Sequence, residues 1–248
     1  MPLAIRIIPQ LLCSGRRLIK GVQYNSWRSV GIAAQAVRIH QMRQVDELVL
    51  LDITATPEGR GPDLELVREL SDVCFSPLAV GGGVKCLQDI RDLLNSGADK
   101  VVIGTSAYKD KDFVKKACSK FGSSTIVAAI DVRDGGIVVE CGKHSSNTDP
   151  CAYAEVLEME GVGEIILTSI DREGMMQGYD IDLIHSISSS VGIPVVASGG
   201  CGTYEHMREA IDAGASAVSS GAMFQFTNNT PRGAAEYLDK LGYEVRIT

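Results

Sequence analysis

The chain carries one skeleton twice. Residues 78–108 read LAVGGG, a helical stretch, then NSGADKVVIGTSAY. Residues 195–222 read VVASGG, a helical stretch, then DAGASAVSSGA. Gly97 answers to Gly214 and Gly104 to Gly221, each pair 117 residues apart. Upstream, residues 7–12 answer to 127–131, with Leu12 opposite Asp131. A duplicated chain places matching groups on either side of one cavity, and here one side ends in a carboxylate and the other in leucine.

Within each copy, short apolar runs rich in β-branched residues alternate with longer amphipathic stretches. The runs predict strands near 4–12, 47–52, 78–80, 100–103, 125–131, 164–169, 195–198 and 217–219. Strands buried on both faces, as in a parallel sheet, show this continuous hydrophobicity. Helices are predicted near 32–43, 63–74, 87–96, 111–121, 151–160, 181–189, 203–213 and 232–240. Pro62-Asp63 and Asp149-Pro150 open two of them, and Gly97 and Gly214 stand where a glycine follows a helix. Eight β-then-α units in 248 residues predict a single (β/α)₈ barrel made of half-barrels at about 1–122 and 123–248. A doubly wound open sheet explains the alternation but not the near-equal halves. Two connections exceed an ordinary βα loop, 21–31 and 134–147, the second with a hairpin turn at Asp134-Gly135-Gly136. Long loops at the C-terminal ends of strands hold substrate or act as lids.

Composition narrows the function. A net charge of −7 disfavours nucleic acid as a partner. No apolar run approaches the ~20 residues that span a bilayer, and the N-terminus lacks the apolar core of a signal peptide. The seven cysteines are odd in number and form no C-x-x-C pair, which suits reduced thiols in a cytoplasmic protein. The four histidines are scattered without ligand spacing, so neither a metal nor another cofactor is expected.

In a barrel, chemistry belongs at the C-terminal ends of the strands. Glycines gather there in matched places: Gly81-Gly82-Gly83 and Gly104-Thr105 in one half, Gly199-Gly200 and Gly221-Ala222 in the other. Tight βα turns need glycine for positive φ. Small residues also let backbone N–H groups approach an anion. Four such ends in symmetric pairs favour two phosphate cradles and a phosphorylated small molecule as ligand. Asp131 follows an apolar run and is the candidate acid or base. Asp52, Asp171 and Glu173 lie at the same end, as functional groups or loop anchors, and Lys20 lies in the first long loop, within reach of a polar ligand or simply solvated. Cys13 has no neighbouring base and suits buried packing. At the opposite end, Arg6, Glu47, Lys100 and Glu164 each precede an apolar run. On its own, that alternation of sign reads as a stabilising salt-bridge layer.

The segments RII, LIKG, VDELVLLDITAT, VGGGV, GADKVVIGT, VAAID, GEIILTSIDREG, GYD and ASGG together resemble the cyclase subunit of imidazole glycerol phosphate synthase, HisF, along nearly the whole chain. The resemblance implies a (β/α)₈ barrel that binds a ligand with two phosphates. The cradle residues would be Gly83, Gly104, Thr105, Gly174, Gly200, Gly221 and Ala222. It implies ammonia from a glutaminase subunit docked on the N-terminal face, with Arg6, Glu47, Lys100 and Glu164 as the gate and Asp99 at the interface. The two catalytic aspartates of that family fall at Leu12 and Asp131, so one is absent. The cysteine-leucine-aspartate start becomes Gln10-Leu11-Leu12. Gly104 replaces an asparagine, Ala79 a channel threonine and Glu173 an aspartate. With its RIIP-x-LL start, the chain resembles the branch linked to acetamidino-sugar formation in bacterial surface polysaccharides. There the barrel and its glutaminase supply ammonia to a sugar-modifying amidotransferase. The resemblance therefore implies ammonia delivery for amidination of a nucleotide sugar. The alternatives are a cyclase of histidine biosynthesis and a non-catalytic scaffold that activates a glutaminase.

Overall fold

The computed structural model describes residues 4–247. Its first half contains β1 (Arg6–Ser14), β2 (Arg17–Val22), β3 (Asn25–Ile32), α1 (Ala33–Met42), β4 (Leu48–Asp52), α2 (Leu64–Ser71), β5 (Leu78–Gly81), α3 (Leu87–Asn95), β6 (Lys100–Ile103), α4 (Thr105–Lys109) and α5 (Lys111–Phe121). The second half contains β7 (Ile126–Arg133), β8 (Gly136–Val139), β9 (His144–Ser145), α6 (Pro150–Met159), β10 (Glu164–Ser169), α7 (Ile181–Ser190), β11 (Val195–Ser198), α8 (Tyr204–Asp212), β12 (Ala217–Ser220), α9 (Ala222–Phe226) and α10 (Pro231–Lys240).

Eight parallel strands run in the order β10-β11-β12-β1-β4-β5-β6-β7, and β7 pairs with β10 to close the barrel. Closure leaves the barrel strands without a free edge. The open-sheet alternative is thereby excluded. Along each strand, side chains alternate between two cores. One inward residue per strand forms a layer of Ile8, Val49, Ala79, Val102, Val127, Ile166, Val196 and Ala217. The outward residues, such as Leu48, Leu78 and Ile126, pack under the helices. Each fully buried aliphatic side chain contributes roughly 1.5–3 kcal/mol relative to exposure.

The duplication persists in local contacts. Asp63 caps α2 by accepting from Leu66 N, and Asp180, 117 residues on, caps α7 by accepting from Leu183 N. Gly97 and Gly214 end α3 and α8 at φ 102° and 106°. A Cβ on either would overlap a serine of the preceding helical unit, Ser71 or Ser188. Those serines donate to Ser96 O and Ala213 O at 3.3 and 3.0 Å. Both the positive φ and the close approach require glycine there.

Two expectations need correction. The 21–31 stretch is not an irregular loop: β2 and β3 form a hairpin across Gln23 and Tyr24, whose φ values are 52° and 59°. Two adjacent positive φ values match the twist of a tight hairpin, although neither residue advertises one. Lys20 accordingly sits in β2 and is buried, not carried in a loop. The short helices α4 and α9 were not anticipated. They begin at equivalent positions, Thr105 and Ala222, just past the ends of β6 and β12. The turn at Asp134-Gly135 forms as expected and joins β7 to β8.

Candidate functional site

At the N-terminal end of the barrel the four charges close into a ring. Arg6 donates to Glu47 at 2.6 Å and also to Glu164, and Lys100 reaches Glu47 at 2.9 Å and Glu164 at 2.8 Å. Each carboxylate therefore bridges both cations. Burial works against the charged carboxylate of Glu164, but Arg6 and Lys100 outweigh it and hold the carboxyl below its ordinary value. The ring lies directly beneath the apolar inner layer, because Arg6 stands two residues before Ile8 on β1. Asp99, beside Lys100, is exposed and accepts from Leu78 N at 2.8 Å. Met42, Phe75 and Met159, at the same end, are 85%, 85% and 76% exposed.

At the opposite end a cavity of about 410 Å³ opens. It is lined by Leu12, Tyr24, Trp27, Asp52, Gly83, Gly104, Thr105, Asp131 and Thr168, among others. Burial raises the Asp131 carboxyl to about 6, against the pull of the Tyr24 and Thr168 hydroxyls that face it. It therefore changes protonation near neutrality, as a general acid or base must. Leu12 lines the same cavity and is itself buried, so the position matching Asp131 carries no acid, and Asp52 is the carboxylate on the neighbouring strand.

The other carboxylates at the mouth divide by their partners. Asp52 accepts from Thr54 N and Oγ1 at 2.9 Å, from Ala55 N at 3.2 Å and from Arg60 at 3.2 Å. It anchors the loop after β4, and the opposing guanidinium was not anticipated. Asp171 is exposed and accepts from Asp134 N at 2.9 Å, so it too anchors a loop. Glu173 is buried. Its backbone O accepts from Gln23 N at 2.9 Å, and its carboxylate faces Lys20 and Tyr24 N. Burial raises the Glu173 carboxyl, against the Lys20 charge. These contacts dock the β2–β3 hairpin over the mouth. Gly174 is part of that seam, since a Cβ there would overlap Gly21 O.

The two glycine clusters differ in contents. In the first, Gly82 and Gly83 have φ values of 109° and 74°, and Gly83 N donates to Thr56 Oγ1 at 3.3 Å. The Thr105 hydroxyl accepts from Glu140 N at 3.0 Å, while the buried Ser106 Oγ has no hydrogen-bond partner among the described residues. In the second, Gly199 and Gly200 repeat the geometry at φ 88° and 105°. Here the Lys20 ammonium lies against Gly221, donating to Gln10 O at 3.3 Å, and a Cβ at Gly221 would overlap it. Burial lowers Lys20 to about 8, partly offset by Glu173. Only about 30 Å³ remains free between Lys20, Gly200, Gly221 and Ala222. Cys13 is fully buried and burial pushes its thiol up, which fits packing and not nucleophilic attack.

Sequence reasoning thus assembled the ring, both glycine clusters and Asp131. It missed Tyr24, Trp27, Thr168 and Ser106. Thr168 was detectable as an inward position on a predicted strand, whereas nothing in the sequence directs Tyr24 toward Asp131. Among the described residues no helix is long and apolar enough to cross a membrane.

Comparison with known proteins agrees with this geometry. Residues 6–230 match the family model described as "Histidine biosynthesis protein". The imidazole glycerol phosphate synthase subunit HisF of Endomicrobium trichonymphae is 41% identical over 249 residues, covering 98% of this chain and 96% of its own.

Proposed function

The chain belongs to the histidine biosynthesis protein family, and from that premise we propose that it is an ammonia-delivering barrel. A separate HisH-like glutaminase hydrolyses glutamine on the N-terminal face. Ammonia passes the ring of Arg6, Glu47, Lys100 and Glu164 and emerges at the C-terminal mouth. A sugar-modifying amidotransferase uses it there to amidinate a nucleotide sugar for surface polysaccharide. The observation that carries this reading is a closed ring below a cavity in which Asp131 faces Leu12, while the other lining carboxylates are committed elsewhere, Asp52 to Arg60, Asp110 to the start of α5 and Glu140 to Lys109. Cyclisation with lyase chemistry needs one group to give a proton and another to take one, and loss of such a group costs roughly 10²–10⁴-fold. Delivery of a neutral nucleophile needs neither. The exposed Met42, Phe75 and Asp99 beside the ring supply the mixed apolar and charged surface that suits a docked subunit.

The test is reconstitution with a glutaminase, a candidate sugar synthetase, its nucleotide-sugar acceptor, ATP to activate the amide oxygen that leaves, and [amide-¹⁵N]glutamine. Incorporation of ¹⁵N into the sugar should require the barrel. Equal incorporation without it contradicts the proposal. A second reading, cyclase of histidine biosynthesis, is favoured by the name of the 41% identical relative. Asp131 would then carry the proton transfers alone or with Lys20. Growth of a cyclase-deficient strain on this gene would support that reading.

A further inference from the structure

Above the apolar inner layer, the barrel wall is polar on one side only. Side chains two residues beyond the layer point inward again. Beyond Val49, Ala79, Val102 and Val127 stand Leu51, Gly81, Gly104 and Ala129, none of which offers a polar side-chain atom. Beyond Ile166, Val196, Ala217 and Ile8 stand Thr168, Ser198, Ser219 and Gln10. These belong to β10, β11, β12 and β1, which are consecutive neighbours in the sheet. Thr168 pairs in register with Asp131 on one side and Ser198 on the other. A continuous polar arc therefore runs from Asp131 to the Lys20 hollow.

Gln10 is the centre of that arc. Its Oε1 accepts from Ser198 Oγ at 2.9 Å and from Ser219 Oγ at 2.8 Å. All three residues are buried, and all three line the hollow of about 30 Å³ beneath Lys20. Both serine protons are committed to Oε1. The serine oxygens are left with lone pairs, and the Gln10 carboxamide N–H groups are left to face the hollow. A water-sized molecule needs roughly 10–15 Å³ on this measure, so the hollow takes one or two such molecules.

We infer that Gln10, Ser198 and Ser219 form a holding site for neutral ammonia above the apolar layer, with Gln10 as its positioning residue. The inference rests on the reading of the barrel as an ammonia passage. The Gln10 N–H donates to the ammonia lone pair, and the serine oxygens accept ammonia N–H groups. Ammonium has no lone pair to accept with, and it carries the cost of burying a charge. The arc also sets direction. At the first inward level above the apolar layer, polar side chains stand along the β10–β1 wall, so a molecule that has crossed the layer is led toward the side between Asp131 and Lys20.

The test is ¹H–¹⁵N spectroscopy of the barrel at pH 9, titrated with ammonium chloride and, separately, with potassium chloride as a control of similar ionic size. The reporters are the Gln10 carboxamide and the Ser198 and Ser219 backbone amides. Ammonium chloride should produce a saturable shift at all three that potassium chloride does not. In Gln10→Leu, half-saturation at the serine amides should need at least tenfold more ammonium. Ser219→Ala, which removes one hydroxyl and leaves the carboxamide, should weaken binding in the same direction. Identical shifts with both salts, or unchanged half-saturation in both variants, overturn the inference. Stimulation of the glutaminase by the same proteins is read in parallel. Loss of stimulation in the unsubstituted barrel counts against the delivery reading, whereas normal stimulation with no ammonia-specific shift counts against the holding site alone.

Discussion

Asp131 is the residue on which the proposed reading of the mouth turns. Burial raises its carboxyl to about 6, above the ~3.9 of an unfolded aspartate. The folded state therefore binds this proton more tightly than the unfolded state. Its contribution to stability is present at low pH and is lost as pH rises from about 4 through about 6. Asp131→Asn should thus raise the melting temperature at pH 7.5, by the equivalent of about 1–3 kcal/mol. That gain should vanish near pH 4, and calorimetry at both values checks it. A carboxylate retained at such a cost is expected of a functional group. Its position was legible in the sequence because a charge at the end of an apolar run has no solvation to explain it. The roles of Asp52 and Asp171 were not legible, because Arg60 stands eight residues along the loop after β4 and Asp134 N lies in a separate loop, and both become partners only on folding.

Elements show the same division between local and distant information. The barrel strands and eight principal helices follow from periodicity and capping: Asp63, Asp149 and Asp180 each accept from the first turn of the helix they open. The β2–β3 hairpin does not follow. Its turn residues, Gln23 and Tyr24, take positive φ because Glu173 and Asp171 hold them from the other half of the barrel. That hairpin positions both Lys20 and Tyr24, so part of the mouth was invisible until the tertiary fold was known. Gly174, at φ 75° against Gly21 O, is the close contact in this seam. Gly174→Ala should lift the hairpin. Hydrogen exchange across 17–32 should rise at least tenfold, while the barrel strands keep their protection. Unchanged exchange would show that the hairpin is held elsewhere.

For the whole molecule, duplication supplies the architecture and departures from it supply the function. The glycine clusters, the helix-ending glycines and their serine contacts repeat at 117 residues. Leu12 opposite Asp131, and Lys20 in one hollow only, do not repeat. The ring spans both halves, since Arg6, Glu47 and Lys100 come from the first and Glu164 from the second. Removing one member leaves a partly buried charge uncompensated, so Arg6→Ala should cost about 3 kcal/mol by denaturant unfolding. Arg6→Ala combined with Glu47→Ala should cost less than the two single changes added together. The proposed delivery role requires that leucine at position 12 disable the cyclase chemistry while the ring admits ammonia. Its most direct test is the rate of imidazole glycerol phosphate formation by the purified barrel supplied with ammonium salt, measured beside Leu12→Asp. The unsubstituted barrel should run at least ~10²-fold below the Leu12→Asp variant. A normal enzymatic rate from the unsubstituted barrel, unimproved by Leu12→Asp, would contradict it.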